Sequence, residues 1–201
     1  MTGLFVAFEG VDRSGKTTQL TKLAERMAVK HHVVVTREPG GTPVAEAIRV
    51  LLLADDVDMS ARCEALLFAA ARADHVERTI RPALERGHVV ISDRFVDSSL
   101  AYQGVARALG VDEVERVNLW ATDGLVPDIT IMLDLPVGAS TQRDGRADRM
   151  ENEGELFQAR VRRGLLDLAS RAPGRYAVVD AAHGIDEVAD MVWAAIPQEW
   201  R

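Results

Sequence analysis

Cysteine is almost missing from this chain. Cys63 is the only one in 201 residues, so no disulfide can form within it. Its helical, largely apolar neighbourhood predicts a buried or interface thiol rather than a nucleophile. Lysine is scarce too, three against 21 arginines. That excess reads equally well as genomic base composition or as phosphate binding by the arginines near the glycine-rich loop. Positive charge does not dominate: the net charge is −7, which excludes a global electrostatic match to nucleic acid or an anionic membrane. There is no run of about 18 apolar residues and no signal-peptide pattern, which predicts a soluble, cytoplasmic protein. Repeats, low-complexity tracts and domain linkers are absent as well. With 47% hydrophobic residues, the expectation is one domain over 1–201 with a substantial core.

What is present is more specific. Gly10-Val11-Asp12-Arg13-Ser14-Gly15-Lys16-Thr17 has the spacing of a phosphate-binding loop. Gly10 and Gly15 permit a tight turn. The turn aims backbone N–H groups at one point before a helix, where anions are stabilised. Lys16 supplies a mobile positive charge for β- and γ-phosphates, and Thr17 a hydroxyl for Mg²⁺. The apolar run before the loop suits a buried strand, and the periodic run after it suits a helix.

Apolar segments predict strands over 4–9, 33–36, 89–93, 129–135 and 176–180. Helical patterns cover 16–30, 44–53, 62–85, 98–109, 112–125, 154–170 and 185–195. Buried strands alternating with helices predict an α/β fold, a five-stranded parallel sheet with helices on both faces. Ligands gather at the carboxyl ends of such strands. That rim holds the glycine-rich loop, Arg37, Asp93 and Asp180.

No guanine-reading Asn-Lys-x-Asp is present, which argues against a GTPase switch. Further segments point to a small kinase. Asp93-Arg94 closes a buried strand; Asp93 suits Mg²⁺ or its water shell, and Arg94 a second phosphate. Arg37-Glu38-Pro39-Gly40-Gly41 forms a rigid turn that suits a pocket wall. Phe68 and Arg72 share a helix face, where a ring and a guanidinium can stack a base and read its edge. Arg143, Arg146 and Arg149 lie at intervals of three, one basic face if helical. They fall in a polar, Gly-containing stretch at 143–155 that suits a mobile lid.

Together these segments resemble the thymidylate kinases, over nearly the whole chain. The markers are Phe8-Glu9-Gly10-Val11-Asp12-Arg13-Ser14-Gly15-Lys16-Thr17-Thr18, Thr36-Arg37-Glu38-Pro39-Gly40-Gly41-Thr42, Asp93-Arg94-Phe95-Val96-Asp97-Ser98-Ser99-Leu100-Ala101-Tyr102-Gln103-Gly104 and Asp148-Arg149-Met150-Glu151. The resemblance implies a P-loop kinase fold and transfer from ATP, with Mg²⁺, to dTMP for dTTP synthesis. It implies that Gly10, Val11, Asp12, Arg13, Ser14, Gly15, Lys16, Thr17, Thr18 and Arg143 bind ATP, with Thr17 and Asp93 at the metal. Phe68 would stack on thymine and Arg72 would donate to its O4. Ser98, Ser99 and Gln103 belong to the same substrate-binding set. Tyr102 would lie under the deoxyribose, Glu38-Pro39 beside it, and Asp12 at the 3′-hydroxyl. Arg37 and Arg94 would hold the acceptor phosphate. The catalytic set implied is Asp12, Arg13, Lys16, Arg94, Arg146 and Arg149. A homodimer is implied, through the 65–73 or 98–109 stretch, with no nucleic-acid or membrane partner. A dUMP or dCMP kinase and a non-catalytic nucleotide-binding regulator remain alternatives at this stage.

Overall fold

The computed structural model describes residues 3–136, 138, 149–150 and 153–201. Its sheet contains β1 (Leu4–Glu9), β2 (Val33–Arg37), β3 (Val89–Asp93), β4 (Ile129–Asp134) and β5 (Tyr176–Asp180). All pairs are parallel, in the order β2-β3-β1-β4-β5. Side-chain alternation splits the central strand between two cores. Leu4, Val6 and Phe8 pack with Leu20, Leu23, Val188 and Val192. Phe5 and Ala7 face Ile80, Leu84 and Phe95. Both faces are therefore covered, which is why the buried strands read as continuous apolar runs.

The helices are α1 (Lys16–Met27), α2 (Pro43–Leu53), α3 (Ala61–His75), α4 (Arg81–Glu85), α5 (Val96–Ser99), α6 (Val111–Ala121), α7 (Glu155–Arg171) and α8 (Ile185–Ala195). A π-helical turn, Val76–Ile80, joins α3 to α4. It comes directly before Arg81-Pro82, and Pro82 brings no N–H to a regular helical bond. A second π segment, Leu100–Ala106, continues α5. The helix expected over 112–125 stops at Ala121 instead. Asp123 (φ 48°) and Gly124 (φ 69°) turn left-handed there, and Leu125 folds back into the core.

This arrangement gathers the loops after β1 and β3 at one edge. Phe8 and Asp93 are register partners, so the glycine-rich loop and the Asp93-Arg94 turn leave the sheet side by side.

Candidate active site

The loop after β1 is shaped by its glycines. Gly10 has φ 148°, and a Cβ there would lie 2.7 Å from the Leu133 carbonyl oxygen. Gly15 has φ 89° with open space around it, so its constraint is conformational rather than steric. Arg13 is also left-handed, at φ 64°. Lys16 folds back over the loop and donates to the Gly10 and Val11 carbonyls at 3.0 and 2.9 Å. Burial first, then the Arg94 charge, lowers the Lys16 ammonium to about 8. Thr17 Oγ1 lies 3.4 Å from Asp93 Oδ2. Asp93 Oδ1 is buried without a partner among the described residues. An orphaned carboxylate oxygen beside a hydroxyl fits a hard cation that takes its remaining ligands from water and phosphate.

Arg94, left-handed at φ 70°, is the centre of a charged cluster. It donates to Asp12 at 2.5 Å, to Ser98 Oγ at 3.1 Å and to the Gly10 carbonyl at 3.3 Å. Asp12 also accepts from Gln158 at 2.9 Å and from the Tyr102 hydroxyl at 3.3 Å. Burial opposes the Asp12 charge, but Arg94, Lys16 and these donors outweigh it and hold the carboxyl below its usual range. Beneath them, Glu9 accepts from the Phe95 and Ser98 N–H groups at 2.9 and 3.1 Å and from Ser98 Oγ at 2.6 Å. Burial, then the Asp97 charge, raises Glu9 to about 7.

A cavity opens beside this cluster. It is lined by Asp12, Glu38, Pro39, Phe68, Arg72, Arg94, Ser98, Ser99, Tyr102 and Gln103, all expected, together with Met150 of the Asp148-Arg149-Met150-Glu151 marker and with Arg49 and Leu53, which the sequence did not single out. Arg72 is almost fully buried. It donates to Glu38 at 2.5 Å, Ser99 Oγ at 3.1 Å, the Phe95 carbonyl at 3.1 Å and Asn118 Oδ1. A guanidinium has five N–H donors, so these four bonds leave one Nη2 proton. Gln103 has the opposite polarity. Its Nε2 donates to Glu64 at 2.9 Å, and its Oε1 is buried without a partner among the described residues. Arg72 and Gln103 both line the cavity with Phe68, and between them hold one uncommitted donor and one uncommitted acceptor among the described residues.

Other expectations fare differently. Arg37 is absent from the cavity lining and pairs with Glu46 at 2.9 and 3.0 Å. Arg149 donates to the Leu52 carbonyl at 2.9 Å and to Glu64 at 2.7 Å. Arg143 and Arg146 lie outside the described residues. Cys63 is exposed, so of the two expectations, a buried or an interface thiol, burial within the chain is ruled out. The 98–109 stretch does not form a docking surface: Leu100, Ala101, Tyr102, Gln103 and Ala106 are buried, several against α7 residues. Sequence reading also missed Glu64, Asn118 and Gln158. Their roles depend on partners distant in the chain, and no local motif marks them.

Comparison with known proteins identifies relatives of this chain and of its fold. The thymidylate kinase family model matches residues 8–192. The thymidylate kinase of Desulforudis audaxviator is 50% identical, over 98% of this chain and 91% of its own. That of Bifidobacterium longum is 52% identical, over 99% of this chain and 98% of its own. The crystal structure of thymidylate kinase from Ehrlichia chaffeensis superposes with a TM-score of 0.79 at 36% identity. The match covers 96% of this chain and 98% of that one.

Proposed function

The chain belongs to the thymidylate kinase family, and on that premise we propose that it phosphorylates dTMP to dTDP with ATP, for dTTP synthesis. One observation carries the base assignment. Arg72 and Gln103 line the cavity with Phe68; Arg72 keeps one uncommitted Nη2 proton, and Gln103 Oε1 has no partner among the described residues. Thymine offers a carbonyl at C4 and an N–H at N3, the complement of that pair. Cytosine offers an amino group and a bare nitrogen, so a donor would meet a donor and an acceptor an acceptor.

The acceptor phosphate belongs with Arg94, whose guanidinium is set by Asp12, Ser98 and the Gly10 carbonyl. A phosphate acceptor is already ionised, so no strong general base is needed. Lys16 and the amides of residues 10–18 hold the β- and γ-phosphates, and fixed positive charge stabilises the transferring group. Thr17 and Asp93 would hold Mg²⁺, whose part is to neutralise phosphate charge. Arg13 is the catalytic arginine, because the loop after β1 fixes its backbone. Arg13→Ala therefore lowers kcat more than Arg146→Ala, in side-by-side turnover assays; the reverse order moves the catalytic charge to the lid. The whole chain acts as one kinase domain, with the 143–155 segment as a lid that excludes water from the transfer. The protein acts in the cytoplasm as a homodimer. No helix among the described residues is long and apolar enough to cross a membrane.

Coupled ADP production with ATP, Mg²⁺ and each of dTMP, dUMP, dCMP and AMP tests the reaction. Preference for dTMP over dCMP supports both the transfer and the base pocket. Equal turnover of dCMP keeps the kinase and removes the Arg72–Gln103 reading.

A further inference from the structure

Gln103 reads the base only if its carboxamide oxygen faces the cavity. Nothing in Gln103 itself dictates this, because oxygen and nitrogen are nearly interchangeable in shape. The deciding group is Glu64 on α3. It lies outside the cavity lining and is 1% exposed. A carboxylate only accepts, so the side of Gln103 facing Glu64 must be the Nε2 donor, at 2.9 Å. The oxygen is thereby turned away, and it is this Oε1 that is buried and unpartnered.

Glu64 is held in its acceptor form by further donors. Arg149 Nη2 lies at 2.7 Å, and Arg107 reaches it through Nη2 at 3.2 Å and Nε at 3.3 Å. Burial alone would push Glu64 up, but the bonds from Gln103, Arg149 and Arg107 outweigh it and hold the carboxyl below its usual range.

We infer that Glu64 is a specificity-positioning residue: it sets the polarity of the Gln103 carboxamide, and through it the preference for a base with N–H at N3. This rests on the reading of the cavity as the pyrimidine site. A neutral amide at position 64 can donate to Gln103 Oε1. It thereby allows Gln103 to rotate and present its nitrogen to the base. That edge suits the bare N3 of cytosine.

The test measures kcat/KM for dTMP and dCMP in the full-length protein and in Glu64→Gln, Gln103→Leu and Arg107→Met. Glu64→Gln is expected to lower the dTMP:dCMP ratio about ten-fold or more, the scale of one mismatched hydrogen bond. The change falls mainly on the KM for dTMP, with the KM for ATP unmoved. Gln103→Leu lowers the ratio as well. Arg107→Met removes a Glu64 partner without touching Gln103 and leaves the ratio unchanged. A ratio unmoved by Glu64→Gln but lowered by Gln103→Leu overturns the inference and spares the pyrimidine site. A ratio unmoved by both overturns the Gln103 reading and the inference with it. A fall in Arg107→Met equal to that in Glu64→Gln reduces Glu64 to general support of the pocket and also overturns it. Should Glu64→Gln fail to fold, amide exchange in the unaltered protein decides. A Gln103 side-chain proton already protected before dTMP is added supports the bond to Glu64, and an unprotected carboxamide overturns it.

Discussion

At the scale of single residues, the site is a set of charges moved from their ordinary titration ranges. Lys16 donates to two carbonyls of its own loop and titrates at about 8. Lys16→Ala is expected to lower kcat about 100-fold or more, as loss of a fixed transition-state donor does. Circular dichroism would confirm that the variant is folded; a folded variant with normal turnover removes Lys16 from the chemistry. The lowered value also predicts a pH limb. As pH rises through about 8 the free protein loses the Lys16 charge, so kcat/KM for ATP falls. A profile that stays level from about pH 7 to about pH 9 contradicts this.

Glu9 shows the opposite shift and affects stability. Its folded value of about 7 stands above its ordinary 4.5. The unfolded chain releases this proton first, so stability falls as pH rises from about 4.5 to about 7, by at most about 3 kcal/mol. Asp12 and Glu64 are shifted downward. Their contribution is complete above their ordinary range and disappears only in acid, so it does not mask this window. Glu9→Gln preserves the shape without the charge and should flatten the fall. Urea denaturation at several pH values checks it; an equal slope in both proteins would show that Glu9 is not its source.

At the scale of elements, α2 illustrates how a local signal and a tertiary contact reinforce each other. Thr42 caps the helix by accepting from the Ala45 N–H at 3.1 Å. The same hydroxyl donates to Asp74 on α3 at 2.5 Å. Thr42→Ala should cost about 1–2 kcal/mol, the upper part of the range for a lost cap. Urea unfolding measures it, and a loss below about 0.5 kcal/mol would mean water replaces both bonds. All five strands are visible in the sequence as apolar runs, and for β1, β3 and β4 the reason is that strands buried on both faces must be apolar throughout. The π segment Leu100–Ala106 was not visible. Its composition does not differ from an α-helix, and only the packed partners select the wider turn. Yet that segment carries Tyr102 and Gln103. The cavity-lining residues were therefore legible as types in a motif, while their orientation was not. Arg72 shows the same division. Its place one turn from Phe68 follows from helical spacing. Its restraint by Asn118, 46 residues away, needs the fold.

At the scale of the whole molecule, the unexplained feature is an apolar surface on a chain of net charge −7. Helices α2, α3 and α6 pack side by side. They leave Val50, Leu66, Leu119 and Trp120 exposed, with Trp120 at 86%. Scattered apolar residues are ordinary, but a bare tryptophan on adjoining helices with exposed aliphatic side chains fits an interface anchor. The 98–109 stretch cannot serve, being largely buried beneath α7. The homodimer proposed above is therefore expected to close over α2, α3 and α6. Trp120→Glu should weaken it about 30-fold or more, as loss of a central anchor does. Trp120 is solvent-exposed and belongs to no core cluster among the described residues, so the variant should fold. Sedimentation equilibrium of both proteins separates the outcomes. A dimer that dissociates in the variant places the interface on these helices. A dimer of unchanged affinity moves it to another face, and a monomeric unaltered chain removes the homodimer altogether.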